Sequence, residues 1–417
     1  AAPEAAPEAD GVGEGGGDKG VIVRPGNGLE LTEALEEVLG VLVERDCSQM
    51  PPQALCNAAW AAAKVEVGPG IALQTLDAVL DQAAASPSRC RDWYPQDLSN
   101  LLWACGTLRH SRVGLLPAVA AQAAKLGLEA FSSQALANSL WGVARLSSTL
   151  DQSEGGFGGE GTCAEKLCAD VVEEVARREL VGFRSQEVAN LLWAVTVIQG
   201  SVSPSLSAAL ATWLSSNTLR QPQELSIGVW AIAQAGESGA AALHSLLAEA
   251  ADRVVRSPSG AQDFSPQAVA NLVWGLGRAA PSVSPLVVHP MLLALEREVC
   301  ARGIAAFQPR EVAALAWGFA RIPSPAGNDL WPLLLDLAHQ GGLKAFQSRQ
   351  LVCLAWASAA RARLVSTLGA SSLDADRAQQ EEMDWGGENE DEESDSDSED
   401  EEEEYEWEEE PIQDELV

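Results

Sequence analysis

The chain is poor in the residues that commonly carry catalysis. It has four histidines, His110, His244, His289 and His339, which lie far apart and form no H-x-x-x-H pair. Its eight cysteines form no C-x-x-C, so neither a zinc site nor a redox dithiol is indicated. Several of them sit inside apolar helical patterns, where a free Cys packs as a small hydrophobe. No Asn-x-Ser/Thr acceptor occurs, in keeping with a reducing compartment. No apolar run approaches the ~18–20 residues that span a bilayer, which argues against a membrane protein. Residues 11–16 and 156–161 match G-x-G-x-x-G, but neither follows a strand or opens a βαβ unit, and no Walker lysine follows. Both therefore read as Gly-rich segments. These absences leave no catalytic residue, metal, cofactor or small-molecule substrate to expect, and the chain reads as a non-enzyme.

Charge is unevenly spread. The formal net charge is −33. Residues 371–417 hold 24 acidic residues and one basic residue, whereas residues 47–370 hold 25 acidic and 23 basic. The acidity thus belongs to the ends, and the middle is nearly neutral. The Gly-, Ala- and Glu-rich residues 1–28 and the acidic residues 366–417 cannot bury a core, and both are expected to be disordered. The N-terminal stretch also lacks the chemistry of an Arg-rich, acid-poor transit peptide. Ser394, Ser396 and Ser398 lie in an acidic context that suits acidophilic kinases.

Aromatic usage is as skewed as charge, with 13 Trp against 2 Tyr and 7 Phe. Eight of the tryptophans share one local pattern: Trp60, Trp103, Trp141, Trp193, Trp230, Trp274, Trp317 and Trp356. Their spacings run from 37 to 52 residues. Spacings near 38–44 suit one helix–turn–helix unit per repeat. The longest spacing holds a loop insertion, residues 151–161. Taking each Trp as position 0, Leu or Val stands at −5, Gln or Arg at −7, and Asn at −3 in five of the eight. Pro52, Pro95, Pro222, Pro266 and Pro309 all fall at −8. Proline is favoured in the first helical turn and disfavoured later, so the Trp-bearing helix starts about two turns before its Trp. Upstream segments such as 115–131, 167–183 and 291–307 have 3.6-residue periodicity and supply the partner helix. An aromatic at −10 closes the connection. Nothing alternates as a strand does. The expected fold is all-α: an α-solenoid of about eight helix–turn–helix repeats over residues 29–365, with the eight Trp as its inter-repeat core.

The repeated line F-x-[PS]-Q-x-[VL]-A-N-x-[LV]-W-[AG], as in residues 264–275, closely resembles the octotricopeptide repeat of algal organelle proteins. It is also similar to the helical repeats of FAST-kinase and RAP-domain proteins and of RNA-editing substrate-binding complex subunits. The Trp230, Trp317 and Trp356 units depart from it, with Ile227, Ala314 and Cys353 in place of the Asn. The resemblance implies single-stranded RNA as partner, alongside other RNA-processing proteins. It also implies a mitochondrial or plastid setting, and a role in RNA processing, stability, editing or translation. No RAP domain follows the array.

A helix advances 100° per residue, so positions −7, −3 and +4 fall within about 40° of one another. They make a polar ridge beside the Trp. Its candidate RNA contacts are Lys64, Arg145, Gln234, Arg278 and Arg321 at +4, Gln96, Gln134, Gln186 and Gln267 at −7, and Asn100, Asn138, Asn190 and Asn271 at −3. Amides can pair with base edges and Arg with phosphates. The competing reading is that the amides satisfy groups of the neighbouring repeat. Position −6 varies (Ala54, Asp97, Ala135, Glu187, Glu224, Ala268, Glu311, Gln350), as does −9, and base reading is expected from such variable positions. The alternative function is an armadillo- or HEAT-like protein-interaction scaffold. A near-neutral array separates the two only if its basic residues gather on one face.

Overall fold

The computed structural model describes residues 28–45, 50–64, 68–84, 93–112, 114–150, 160–322 and 328–363. Among these the chain forms sixteen α-helices and no strand. In order they are α1 (Gly28–Val43), α2 (Pro52–Lys64), α3 (Pro69–Ala84), α4 (Pro95–Leu108), α5 (Leu115–Leu126), α6 (Ser133–Leu150), α7 (Glu160–Arg177) and α8 (Ser185–Gln199). There follow α9 (Pro204–Leu214), α10 (Pro222–Ala233), α11 (Ala240–Ala251), α12 (Pro266–Ala279), α13 (Pro285–Arg302), α14 (Pro309–Ala320), α15 (Leu330–His339) and α16 (348–363). The expected disordered segments lie outside the described residues, apart from Gly28, which opens α1. Residues 151–159 of the insertion and Ser394, Ser396 and Ser398 lie outside them too. Glu160 and Gly161, expected in the insertion, belong to α7.

The helices make eight pairs in two layers. Even-numbered helices, which carry the Trp, pack on one another in sequence, and odd-numbered helices do the same behind them. The five prolines at −8 each open a Trp helix, since the missing N–H is one the first turn cannot use anyway. The odd helices α5 and α13 end at Gly127 and Gly303, whose φ values of 80° and 76° favour glycine. A short 3₁₀ turn then leads to the aromatic at −10. Trp93, Phe131, Phe183, Phe264, Phe307 and Phe346 are all buried there.

The even layer is packed more tightly than the odd one. Small residues at +3 of one Trp helix and +1 of the next permit this. A Cβ on Gly106 would lie 2.8 Å from the Cα of Gly142, and one on Gly277 equally close to that of Gly318. In a two-layered stack the closer-spaced layer lies on the inside of the bend, so the Trp helices line the inner face. Their indoles form a ladder: centroids lie 6.2 Å apart for Trp60–Trp103, 6.1 Å for Trp103–Trp141 and 6.3 Å for Trp141–Trp193. The separations are 6.0 Å for Trp230–Trp274, 5.2 Å for Trp274–Trp317 and 6.4 Å for Trp317–Trp356. Among the described residues the ladder has one break, between Trp193 and Trp230. There the +3 and +1 positions are Thr196 and Ala231. A β-branched side chain at +3, with no glycine opposite, holds α8 and α10 further apart than their neighbours.

Six of the eight tryptophans are buried, as the core expectation requires. The two terminal ones correct it: Trp60 is 40% exposed and Trp356 half-buried, because each lies on an end helix of the described stack, with another Trp helix on one side only. The described cysteines are free, and Cys56, Cys105, Cys168 and Cys353 are buried. Burial pushes the thiols of Cys105 and Cys168 well up, so they pack rather than react.

The outer layer adds a second inter-unit device that the sequence reading missed. Arg178 donates to the carbonyls of Phe131 (2.9 Å) and Leu128 (2.9 Å) in the preceding unit's connection. Arg253 does so to Arg220 (2.7 Å) and Leu219 (2.9 Å), and Arg302 to Ala261 (3.1 Å) and Gln262 (3.2 Å). Each is steadied by a glutamate four residues earlier: Glu174, Glu249 or Glu298. The recurring Glu-x-x-x-Arg at the end of an outer helix was the available signal.

Trp141→Ala should cost about 3–5 kcal/mol of stability in chemical denaturation, whereas Trp60→Ala, at the open end, should cost about 1 kcal/mol or less. Equal losses at the two positions would contradict the ladder.

Candidate nucleic-acid interface

Burial isolates the surface that the Trp helices offer. In α14 every residue from Glu311 to Ala320 is buried, leaving Pro309 and Arg310 at one end and Arg321 just past the other. In α10 the run from Glu224 to Ala233 is buried, and Gln223 and Gln234 reach solvent. In α8 the run from Glu187 to Thr196 is buried, with Gln186 exposed before it. The solvent-facing part of the inner layer is therefore a strip built mainly from positions −7 and +4.

Position −3 joins the strip unevenly. Asn100 and Asn138 are half-buried. Asn190 and Asn271, 7% and 3% exposed, lie beneath it. As candidate RNA contacts these two are corrected to core positions. Gln96, Gln134, Gln186 and Lys64 are exposed, and Arg145, Gln234, Gln267, Arg278 and Arg321 are half-buried.

Cations at +4 lie against the ladder. The Arg321 guanidinium is 4.9 Å from the Trp317 centroid, Arg145 is 5.4 Å from Trp141, and the Lys64 ammonium is 5.9 Å from Trp103 in the next unit. Such contacts contribute about 0.5–2 kcal/mol and hold the charge at the edge of the strip. The glutamines at −7 divide. Across the α10–α12 seam the Gln223 side-chain N–H donates to Gln267 Oε1 (3.0 Å), and Ser265 Oγ donates to Gln223 Oε1 (3.0 Å). Those two amides serve the neighbouring repeat.

Positions −6 and −9 overturn the expectation that their variation reads bases. Position −9 is the N-cap of the Trp helix and −6 its third residue. The backbone N–H of Tyr94 donates to Asp97 (3.0 Å), that of Arg184 to Glu187 (2.9 Å), that of Gln221 to Glu224 (3.0 Å) and that of Gln308 to Glu311 (2.7 Å). Gln350 accepts likewise from Gln347 (2.9 Å). Where −6 is Ala135 or Ala268, −9 is Ser132 or Ser265, and the serine hydroxyl accepts the −6 N–H instead. In seven of the eight units the two positions vary together because either end of a capping pair suffices; Pro51 and Ala54 of the first unit supply neither end.

This has an electrostatic consequence. The carboxylates of the Trp helices are Asp97, Glu187, Glu224 and Glu311, and all four are buried in caps. The charge that the inner layer shows to solvent is cationic: Lys64, Arg145, Arg278, Arg310, Arg321 and Arg349. The outer layer carries most of the acid, with Glu33, Glu36 and Glu37 on α1, Asp77 and Asp81 on α3, and Glu165, Asp170 and Glu173 on α7. Near-neutrality of the array is thus a sum of two faces of opposite sign.

The unit carrying Trp230 has Arg220 in place of the aromatic at −10. A cavity of about 370 Å³ opens there, lined by Arg220, Arg253, Ser257, Asp263 and Phe264 among others. It belongs to the stapled connection, away from the strip. Among the described residues no group of His, Cys, Asp and Glu could hold a metal ion, and no helix is long and apolar enough to cross a membrane. No protein-family model matches the chain, and neither does any curated protein.

Burial pushes the Glu311 carboxyl above the usual carboxylate range, although the Gln308 N–H opposes this. An acid whose pKa is raised on folding destabilises the fold as pH climbs through that value. Glu311→Gln should therefore match or exceed wild-type stability at pH 7 and equal it below about pH 4, since Gln350 does the same job as an amide. Glu311→Ala should lose about 0.5–2 kcal/mol at either pH. Thermal melts at the two pH values check this, and a destabilised Gln variant at neutral pH would contradict it.

Proposed function

We propose that the protein is a non-catalytic RNA-binding helical-repeat protein that holds single-stranded RNA along the strip of its Trp helices. The observation that carries this reading is the single sign of that strip. Every inner-layer carboxylate is withdrawn into a helix cap, while cations recur at +4 over the indoles. A polyanion with exposed hydrogen-bonding edges suits such a surface: arginines meet phosphates, and the exposed amides Gln96, Gln134 and Gln186 meet bases. The stack runs over eight units, so it offers a long track rather than a pocket, and the pattern resembles repeats that serve organellar RNA. An organellar role in RNA processing, stability, editing or translation follows from that resemblance, and other RNA-processing proteins are its expected company.

The protein-scaffold reading has less support. A peptide groove of the armadillo kind needs no uniform exclusion of carboxylates from the inner face.

Labelled single-stranded RNA should bind the protein with an affinity that falls as salt rises. Each phosphate contact contributes about −0.7 to the log–log slope. Replacing Arg145, Arg278 and Arg321 together by Ala should weaken binding about tenfold or more and flatten the slope by about 2. An unchanged affinity and slope in the folded triple variant would remove the strip from RNA binding.

A further inference from the structure

The strip is not uniform along its length, and the chain's most charged segment attaches at one particular end. At +4 the units read Lys64, Thr107, Arg145, Val197, Gln234, Arg278, Arg321 and Ala360. At −7 the first six units have Gln and the last two have Arg310 and Arg349. Positive charge therefore concentrates on α12, α14 and α16, through Arg278, Arg310, Arg321 and Arg349. Those helices hold one carboxylate, Glu311, which is buried in its cap beside Arg310. Behind them, Glu298 is held by Arg302 and Glu296 accepts from the Asp329 N–H. The described chain leaves this same end, at residue 363 of α16. Residues 391–410, farther along, hold 15 carboxylates and no basic residue.

We propose that the acidic segment 391–410 docks on the C-terminal half of the strip and competes there with RNA. The docking rests on charge complementarity and attachment. The competition rests on the RNA-binding reading above. The 27 residues between 363 and 391 span at most about 90–100 Å. The distance from α16 back to α12 is two helix spacings, about 16–20 Å, so the segment reaches its target with chain to spare. Linkage turns a weak ionic contact into an intramolecular one at high effective concentration, highest for the arginines nearest the attachment. The target is thus Arg278, Arg310, Arg321 and Arg349 rather than Lys64 and Arg145, which lie five or more helix spacings away from α16. Salt weakens the contact, because both partners are exposed charges. An RNA must displace the segment to use this half of the strip, and phosphate added at Ser394, Ser396 or Ser398 makes that harder.

The test uses full-length protein whose carboxylates in 391–410 are replaced by the corresponding amides. A labelled peptide of residues 391–410 should bind this variant at about 50 mM salt and lose at least about tenfold in affinity by about 300 mM. Adding Arg278→Gln, Arg310→Gln, Arg321→Gln and Arg349→Gln should abolish most of the binding, whereas adding Lys64→Gln and Arg145→Gln should change it by less than about twofold. Circular dichroism confirms that each variant is folded. Absence of peptide binding at low salt, or equal loss in both sets, overturns the docking site. In parallel, single-stranded RNA should bind the amide variant about tenfold more tightly than wild type at low salt, with the difference closing at high salt. Equal RNA affinities with intact peptide binding overturn the competition. If neither protein binds RNA, the RNA reading falls and the competition with it, while the peptide titration still decides the docking.

Discussion

The structure depends on how closely consecutive Trp helices approach. Small residues at +1 and +3 let backbones meet at Gly106–Gly142 and Gly277–Gly318. The indoles at position 0 then stack in a ladder with centroids about 5–6 Å apart. That approach draws the inner layer tighter than the outer one, which places the Trp helices inside the bend. It also buries nearly the whole circumference of the inner helices α4 to α14. What stays exposed is what the ladder cannot cover, chiefly positions −7 and +4. The strip is therefore a by-product of the packing, and its composition is not fixed by the packing.

The same constraint governs charge. A helix buried on almost every side can keep a carboxylate only where backbone N–H groups receive it, at the first turn. Asp97, Glu187, Glu224 and Glu311 all sit there. Acid elsewhere is carried on the outer helices, where it also anchors the arginine staples through Glu174, Glu249 and Glu298. Withdrawal of acid to caps and to the outer layer leaves the strip with one sign.

Much of this was legible in the sequence. The Trp spacing gave the number of units, the prolines at −8 placed the helix starts, and 100° per residue placed −7, −3 and +4 on one ridge. Three features were not. Variation at −6 and −9, taken one position at a time, resembles a base-reading signal; paired within each unit after the first, Ser with Ala and non-Ser with Asp, Glu or Gln spell out a cap. Asn190 and Asn271 share a register with the exposed Asn57, but depth is set by the neighbouring units, which a helical wheel does not encode. The ladder break at Trp193–Trp230 coincides with Thr196, the one β-branched residue at +3, which stands out only when +3 of one helix is set against +1 of the next.

The most direct test of the account is to map where RNA lies. Photo-crosslinking of single-stranded RNA to the full-length protein, followed by mass spectrometry of the linked peptides, should place adducts on the first and last turns of the Trp helices. The peptides expected are those carrying Gln96, Gln134, Arg145, Gln186, Arg278 and Arg321. Adducts confined to the outer helices, such as α3, α7 or α13, would contradict the claim that the inner strip is the binding surface.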